Sequence, residues 1–243
     1  MAKIDKSKYT KPQIKKLLAE RRRQKQLETT QSDIPQQKTI SDLHALQYGF
    51  VLGNGTSRKG IDPAILQKYG KVYGCNALYR EFDPDYLVAV DVKMILEIDK
   101  KKYQMRNPNV WTNHNKAYKH IEGLNYFKPS KGWSSGPTAL HLATTHSPAY
   151  KKIFILGFDY RGLEDGKKVN NIYASTPNYK KITDGATYYG NWLKQTCTVI
   201  KNNPHIYFYR VIAPDNFIPK ELNNFSNLKH ITIEDFQQMF NIS

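Results

Sequence analysis

Phe50-Val51-Leu52-Gly53-Asn54-Gly55-Thr56-Ser57 is an apolar run that stops abruptly at an asparagine between two glycines, followed by two hydroxyl residues. An uninterrupted apolar run of this kind, without polar alternation, is the pattern of a strand covered on both faces, as in parallel sheets. Glycine permits backbone conformations closed to other residues and lets a ligand approach the amides. The helix signal of Asp62-Pro63, an N-cap followed by proline at the first helical position, comes next. Strand, small-residue loop and helix in that order predict ligand binding at the carboxyl end of a parallel sheet. An Asn-Gly step is also a common plain turn. The spacing matches neither the dinucleotide fingerprint nor a P-loop, so a Rossmann dehydrogenase and a P-loop NTPase are not supported.

Working outward, further apolar runs fall at Val72–Gly74, Tyr86–Val90, Ile153–Leu156, Ile206–Tyr209 and Ile231–Ile233, with helical patterns at 62–69, 137–147, 185–202 and 234–240. In the third of these helices Tyr189, Trp192, Leu193, Thr196, Val199 and Ile200 share one face, which reads as core packing. This alternation predicts an α/β fold, a Rossmann-like open parallel sheet flanked by helices. Residues 41–243 are expected to form one nucleotide-binding domain, with the polar and aromatic stretch 97–130 a candidate lid.

Residues 1–40 differ in composition. Eleven lysines and arginines face four acidic residues there, with too thin an apolar stripe to fold alone. They read as a basic arm, partly helical or disordered, which is either a solvated tail or a segment that orders on a polyanion or partner. The whole chain carries 37 Lys and Arg against 21 Asp and Glu, a formal +16. Such a field steers polyanions toward the protein, so nucleic acid and nucleotides are expected partners. Two distant cysteines suggest neither a disulfide framework nor a zinc site. No apolar stretch reaches membrane-spanning length and no export signal is evident, so a soluble protein of the cytoplasm is expected.

Other chemistry-bearing residues also sit at predicted strand ends. Cys75-Asn76 closes the second run and Asp91 the third; both residue types also cap helices. Trp133-Ser134-Ser135-Gly136-Pro137 precedes an apolar helix, whose first N–H groups can hold an anion or simply start a capped helix. Gly157-Phe158-Asp159-Tyr160 closes the fourth run.

In order and spacing, GNGTS, CN, SSG and GFDY resemble the bacterial lipooligosaccharide sialyltransferases and the wider sialyltransferase-like group, which includes hydroxymethylpterin pyrophosphokinase-like proteins of phage and bacterial genomes. The resemblance covers about residues 48–215. It implies a nucleotide site built from Gly53, Asn54, Gly55, Thr56, Ser57, Asn76, Asp91, Ser134, Ser135 and Gly136. It also implies that Tyr160 and Tyr188 hydrogen-bond the departing phosphate, with Asp159 a structural or ligand-orienting carboxylate. The family's catalytic histidine follows a Tyr-x-Gly step; here Tyr188-Tyr189-Gly190 is followed by Asn191, which cannot act as a general base near neutral pH. Asp91, Asp184, His141 and His114 are the other candidates for that role.

The implied activity is transfer of a sugar from a CMP- or UDP-type nucleotide sugar to an acceptor hydroxyl, with modified DNA an acceptor that the charge favours and no cofactor or metal expected. Alternatives are an inactive nucleotide- or nucleic-acid-binding protein of a virion-like assembly, and ATP-dependent pyrophosphoryl transfer. A phage-encoded member would act in the host cytoplasm.

Overall fold

The computed structural model describes residues 47–146 and 149–242. The expected basic arm lies outside the described residues. In chain order the elements are β1 (Tyr48–Leu52), β2 (Lys71–Cys75), β3 (Tyr86–Val88), α1 (Val92–Lys100), β4 (Val110–Thr112), β5 (Asn125–Tyr126), α2 (Ser135–Thr144), β6 (Lys152–Leu156), α3 (Gly190–Asn202), β7 (Tyr207–Ile212), β8 (Leu228–Thr232) and α4 (Ile233–Met239). A single helical turn at Pro63–Leu66 starts as expected, with Asp62 Oδ1 accepting from Ala64 N at 2.9 Å.

All eight strands join one parallel sheet in the order β5-β4-β3-β2-β1-β6-β7-β8. The chain lays β2 to β5 outward on one side of β1, then returns to lay β6 to β8 on the other. The strand order therefore reverses between β1 and β6, which makes a Rossmann-like α/β arrangement with its switch point there. Side chains alternate between two cores. Phe50, Leu52, Phe154 and Leu156 pack under α1 and α4, through Met94, Ile95, Ile98, Phe236 and Phe240. Val51, Ile153, Ile155 and Phe208 pack under α2 and α3, through Leu140, Ala143, Leu193, Val199 and Ile200.

Two differences from the sequence reading bear on the site. Residues 97–130, expected as a candidate lid, instead carry the end of α1, β4 and the edge strand β5, and none of them lines the cleft described below. The reason lies in β4 and β5 themselves, strands of three and two residues, too short to show any apolar period. On α3, Leu193, Thr196, Val199 and Ile200 are buried as expected, but Trp192 faces the cleft, and Tyr189, the N-cap, lines the cleft while packing against the core.

Beyond the strands, the β1 and β6 loops remain paired. Gly53 N donates to Leu156 O at 2.8 Å and Gly55 N to Gly157 O at 2.9 Å. A Cβ on Gly53 would lie 2.5 Å from Gly157 O, and one on Gly157 would lie 2.8 Å from Gly53 O. Gly157 also holds φ +68°, whereas Gly132, at φ +64°, has nothing within 4 Å of its Cβ position. Gly132→Ala thus reads the conformational cost alone, on the order of 1 kcal/mol. Gly157→Ala and Gly53→Ala add the clash, and Gly157→Ala is expected to destabilise by roughly 1–3 kcal/mol more than Gly132→Ala in denaturant melts. Equal costs for Gly157→Ala and Gly132→Ala would show that the loops separate freely.

Candidate functional site

At the carboxyl ends of the strands lies a cleft of 630 Å³. Its floor is the loop pair after β1 and β6, and it extends past β2 to Asp91, which follows β3. Three strand spacings of about 4.8 Å make that span roughly 14 Å, the scale of a nucleotide.

The structure redistributes the roles expected of the β1 loop. The amides of Gly53 and Gly55 are taken by β6, so these glycines serve close loop packing and do not present N–H groups to a ligand. Thr56 N and Oγ1 both donate to Asn170 Oδ1 at 2.8 Å, and Ser57 N and Oγ donate to the carboxylate of Asp159. Neither Thr56 nor Ser57 lines the cleft. Asp159, buried, is the latch that holds the β1 loop against β6. Asn54 does face the cleft, with its Nδ2 on Tyr179 Oη at 3.2 Å.

The other wall meets the expectation more closely. Asn76 sits at the end of β2 with a left-handed φ of +52°, a conformation asparagine tolerates better than most residues. Its Oδ1 accepts from Ser135 Oγ at 2.7 Å, and Val90 N donates to the same Ser135 oxygen at 3.2 Å. One hydroxyl therefore joins the ends of β2 and β3 to the start of α2. Ser134 is the N-cap of α2, and its own N–H donates to Gln195 Oε1 at 3.1 Å. The N–H groups of Ser135 and Gly136 have no protein acceptor among the described residues, and Pro137 has no N–H. Two free donors at the positive end of a ten-residue helix thus open into the cleft.

The cover comes from residues 161–189, a segment from which the sequence reading drew Tyr188 for the departing phosphate and Asp184 as a candidate base. Tyr179 is its inward anchor. The Tyr179 hydroxyl accepts from Asn54 Nδ2 and from Ala77 N at 3.3 Å, and donates to no protein acceptor among the described residues. Burial raises its phenol pKa, so it stays protonated. Two cations hold the segment down. Buried Arg58 donates through Nε to Gly53 O at 2.6 Å and through Nη2 to Tyr173 Oη at 3.0 Å, with Glu81 3.1 Å away. Arg80 binds Thr176 Oγ1 and Pro177 O, both at 2.8 Å, while paired with Glu97 on α1. Glu97 also accepts from Tyr79 and from Asn178 Nδ2, both at 2.6 Å. Burial alone would push Glu97 up, but the bonds from Arg80, Tyr79 and Asn178 overcome it and hold the carboxyl at about 2.

The remaining expected residues fall in different places. Tyr160 forms part of the cleft wall, at φ +56°, but its hydroxyl is buried and donates to Thr196 Oγ1 at 2.8 Å, away from any ligand. Tyr188 is 76% exposed and Asn191 is exposed; neither lines the cleft, so Tyr160 and Tyr188 do not converge. His114 stacks on Tyr126, His141 lies against Trp133, and Asp184 accepts from Lys181 N. Of the candidate bases, Asp91 alone reaches the cleft. Asp91 is exposed at the rim; its carboxylate makes no hydrogen bond or ion pair among the described residues, and partial desolvation on its protein-facing side raises its pKa above the ordinary aspartate value.

Positive charge comes from Arg161 and Lys180 in the lining, and from Arg210 behind Tyr160. The Arg210 guanidinium, 2% exposed, lies 5.1 Å from the Tyr160 ring and donates to Phe158 O and Phe217 O, with no carboxylate partner among the described residues. Among the described residues no cluster of three or more His, Cys, Asp or Glu could hold a metal, and no helix is long and apolar enough to cross a membrane. Protein-family models, curated proteins and solved structures gave no match to this chain.

The Glu97 network makes a pH-dependent contribution. A carboxyl held at about 2 when folded and near 4.3 when unfolded stabilises fully above the unfolded value, and loses that contribution as pH falls toward the folded one. Glu97→Gln is expected to lower stability on the order of 2 kcal/mol at neutral pH. The gap from wild type should close as pH drops from about 4.3 toward 2, measured by urea melts across that range. A gap that stays constant with pH would remove the ionised pair from the account.

Proposed function

We propose that the cleft binds a nucleotide-activated sugar of CMP or UDP type and passes the sugar to an acceptor hydroxyl. The observation that carries this reading is the meeting, at the β1/β6 switch point, of Asn54, Asn76 and the two free N–H groups of Ser135 and Gly136. In this reading the helix start receives the phosphate. Charge grows on the phosphate as the sugar leaves, and preorganised N–H donors strengthen as it does. Tyr179, whose hydroxyl donates to no protein acceptor among the described residues, takes the phosphate-directed role first expected of Tyr160. The neutral amides of Asn54, Asn76, Asn171 and Asn178 suit the hydroxyls and carbonyls of a nucleoside. The order of GNGTS, CN, SSG and GFDY adds the sialyltransferase-like resemblance, and the +16 charge supports an acceptor on nucleic acid.

A second reading is nucleotide binding without transfer. It is favoured by Asn191, which stands in the position of the family's histidine and lies on the surface away from the cleft.

Calorimetric titration with CMP, UDP, GDP, their sugar derivatives and ATP tests both. Binding of a CMP or UDP compound is expected. Ser135→Ala removes the hydroxyl that ties Asn76 and Val90 to α2 and should weaken it by about 3- to 10-fold, the value of one hydrogen bond. Selective binding of ATP would turn the reading to pyrophosphoryl transfer, and no binding by any of these would end it.

A further inference from the structure

Next to the main cleft lies a second hollow of 300 Å³ at the start of α1, lined by Asn76, Asp91, Val92, Lys93, Asn178 and Tyr179 among others. Asn76, Asp91, Asn178 and Tyr179 belong to both cavities, so the two share a wall, and Asp91 stands where they meet. The other carboxylates nearby are engaged: Asp159 holds Ser57, and Glu97 holds Arg80, Tyr79 and Asn178. Asp91 holds nothing among the described residues. It follows Val90, whose N–H is bonded to Ser135 Oγ, so it stands beside the helix start assigned to the phosphate.

We propose that this hollow is the acceptor subsite, that it takes one sugar ring, and that Asp91 is the general base that receives the proton of the attacking hydroxyl. The inference rests on the nucleotide-sugar reading above and, in place of the nucleic-acid acceptor that the charge supports, names a sugar hydroxyl as acceptor and Asp91 as its base.

Size and chemistry select the occupant. A hollow of 300 Å³ holds a single ring and no duplex. Its polar groups, two carboxamides, a carboxylate and an ammonium, match vicinal hydroxyls. A flat base would be met by one aromatic side chain, Tyr179.

The step balances as follows. The acceptor oxygen forms a bond to the anomeric carbon, and its proton passes to the Asp91 carboxylate. The bond from that carbon to the nucleotide phosphate breaks, with its electron pair going to the phosphate oxygen beside the Ser135 and Gly136 N–H groups. The products are the glycosylated acceptor and the free nucleotide. The raised pKa of Asp91 makes it a stronger base than an ordinary aspartate.

Two measurements test this. The first compares wild type and Asp91→Asn in hydrolysis of the bound nucleotide sugar, with water as acceptor, while nucleotide affinity is measured on the same samples. Asp91→Asn is expected to be slower by about 100-fold or more, with nucleotide Kd within about 3-fold of wild type and Asp91→Glu recovering part of the rate. Equal rates, or a wild type that binds the nucleotide sugar and never cleaves it, overturn the role of Asp91. Failure to bind any nucleotide overturns instead the reading on which the inference rests.

The second measurement needs no turnover. Methyl glucoside, galactoside and N-acetylglucosaminide are titrated into protein containing CMP or UDP, and backbone amide shifts are followed. Shifts should appear at Val92, Lys93 and Asn178 and vanish in Lys93→Trp, which fills the hollow from an exposed position outside the main cleft. No shifts there, or the same shifts in Lys93→Trp, overturn the acceptor subsite.

Discussion

Gly53 and Gly157 pass so close that neither has room for a Cβ, and the geometry of the cleft depends on that contact. It brings the ends of β1 and β6 into one surface at the point where the chain's two halves diverge. Asp159 latches the β1 loop from one side, and Arg58, bonded to Gly53 O, secures it from the other. Glycine here is a packing requirement: the sheet twist opens a crevice between diverging loops, and the pair keeps its floor closed.

On this floor stands a wall of neutral amides. Asn54, Asn76, Asn171 and Asn178 all face the cleft, while its charged groups are Asp91, Asp159, Arg161 and Lys180. Recognition in such a site rests on hydrogen-bond direction more than on net charge, because a carboxamide offers both donor and acceptor in fixed geometry. The basic character of the chain is thus only partly expressed at the site. Arg161 and Lys180 lie in the lining, and Arg210 acts through the Tyr160 ring from the buried side.

The strands of this fold were legible because burial on both faces forces contiguous apolar residues, and Phe50–Leu52, Val72–Gly74 and Ile153–Leu156 stand out for that reason. Their polar ends were equally visible, as was the small-residue start of α2, which is why Asn54, Asn76, Asp91, Ser135 and Gly136, all in the cleft lining, could be marked from the sequence. The residues that hold the cover were not. Arg58 meets Tyr173, and Arg80 meets Thr176, across about a hundred positions of sequence, and such polar pairs leave no period to read. Helix α1 was missed because it begins four residues after β3 and its apolar residues continue the strand's run. The role of Tyr160 at the phosphate came from the resemblance alone, which carries no information on its backbone: at φ +56° its hydroxyl turns inward to Thr196.

Asn178 and Tyr179 are adjacent residues of one covering segment, and each lines both cavities. If the donor and the acceptor proposed above occupy the two cavities, both touch these side chains, which Asn54, Ala77 and Glu97 already hold in one arrangement. Any preference that the two guests share for that arrangement would then be mutual, each raising the affinity of the other by the same factor.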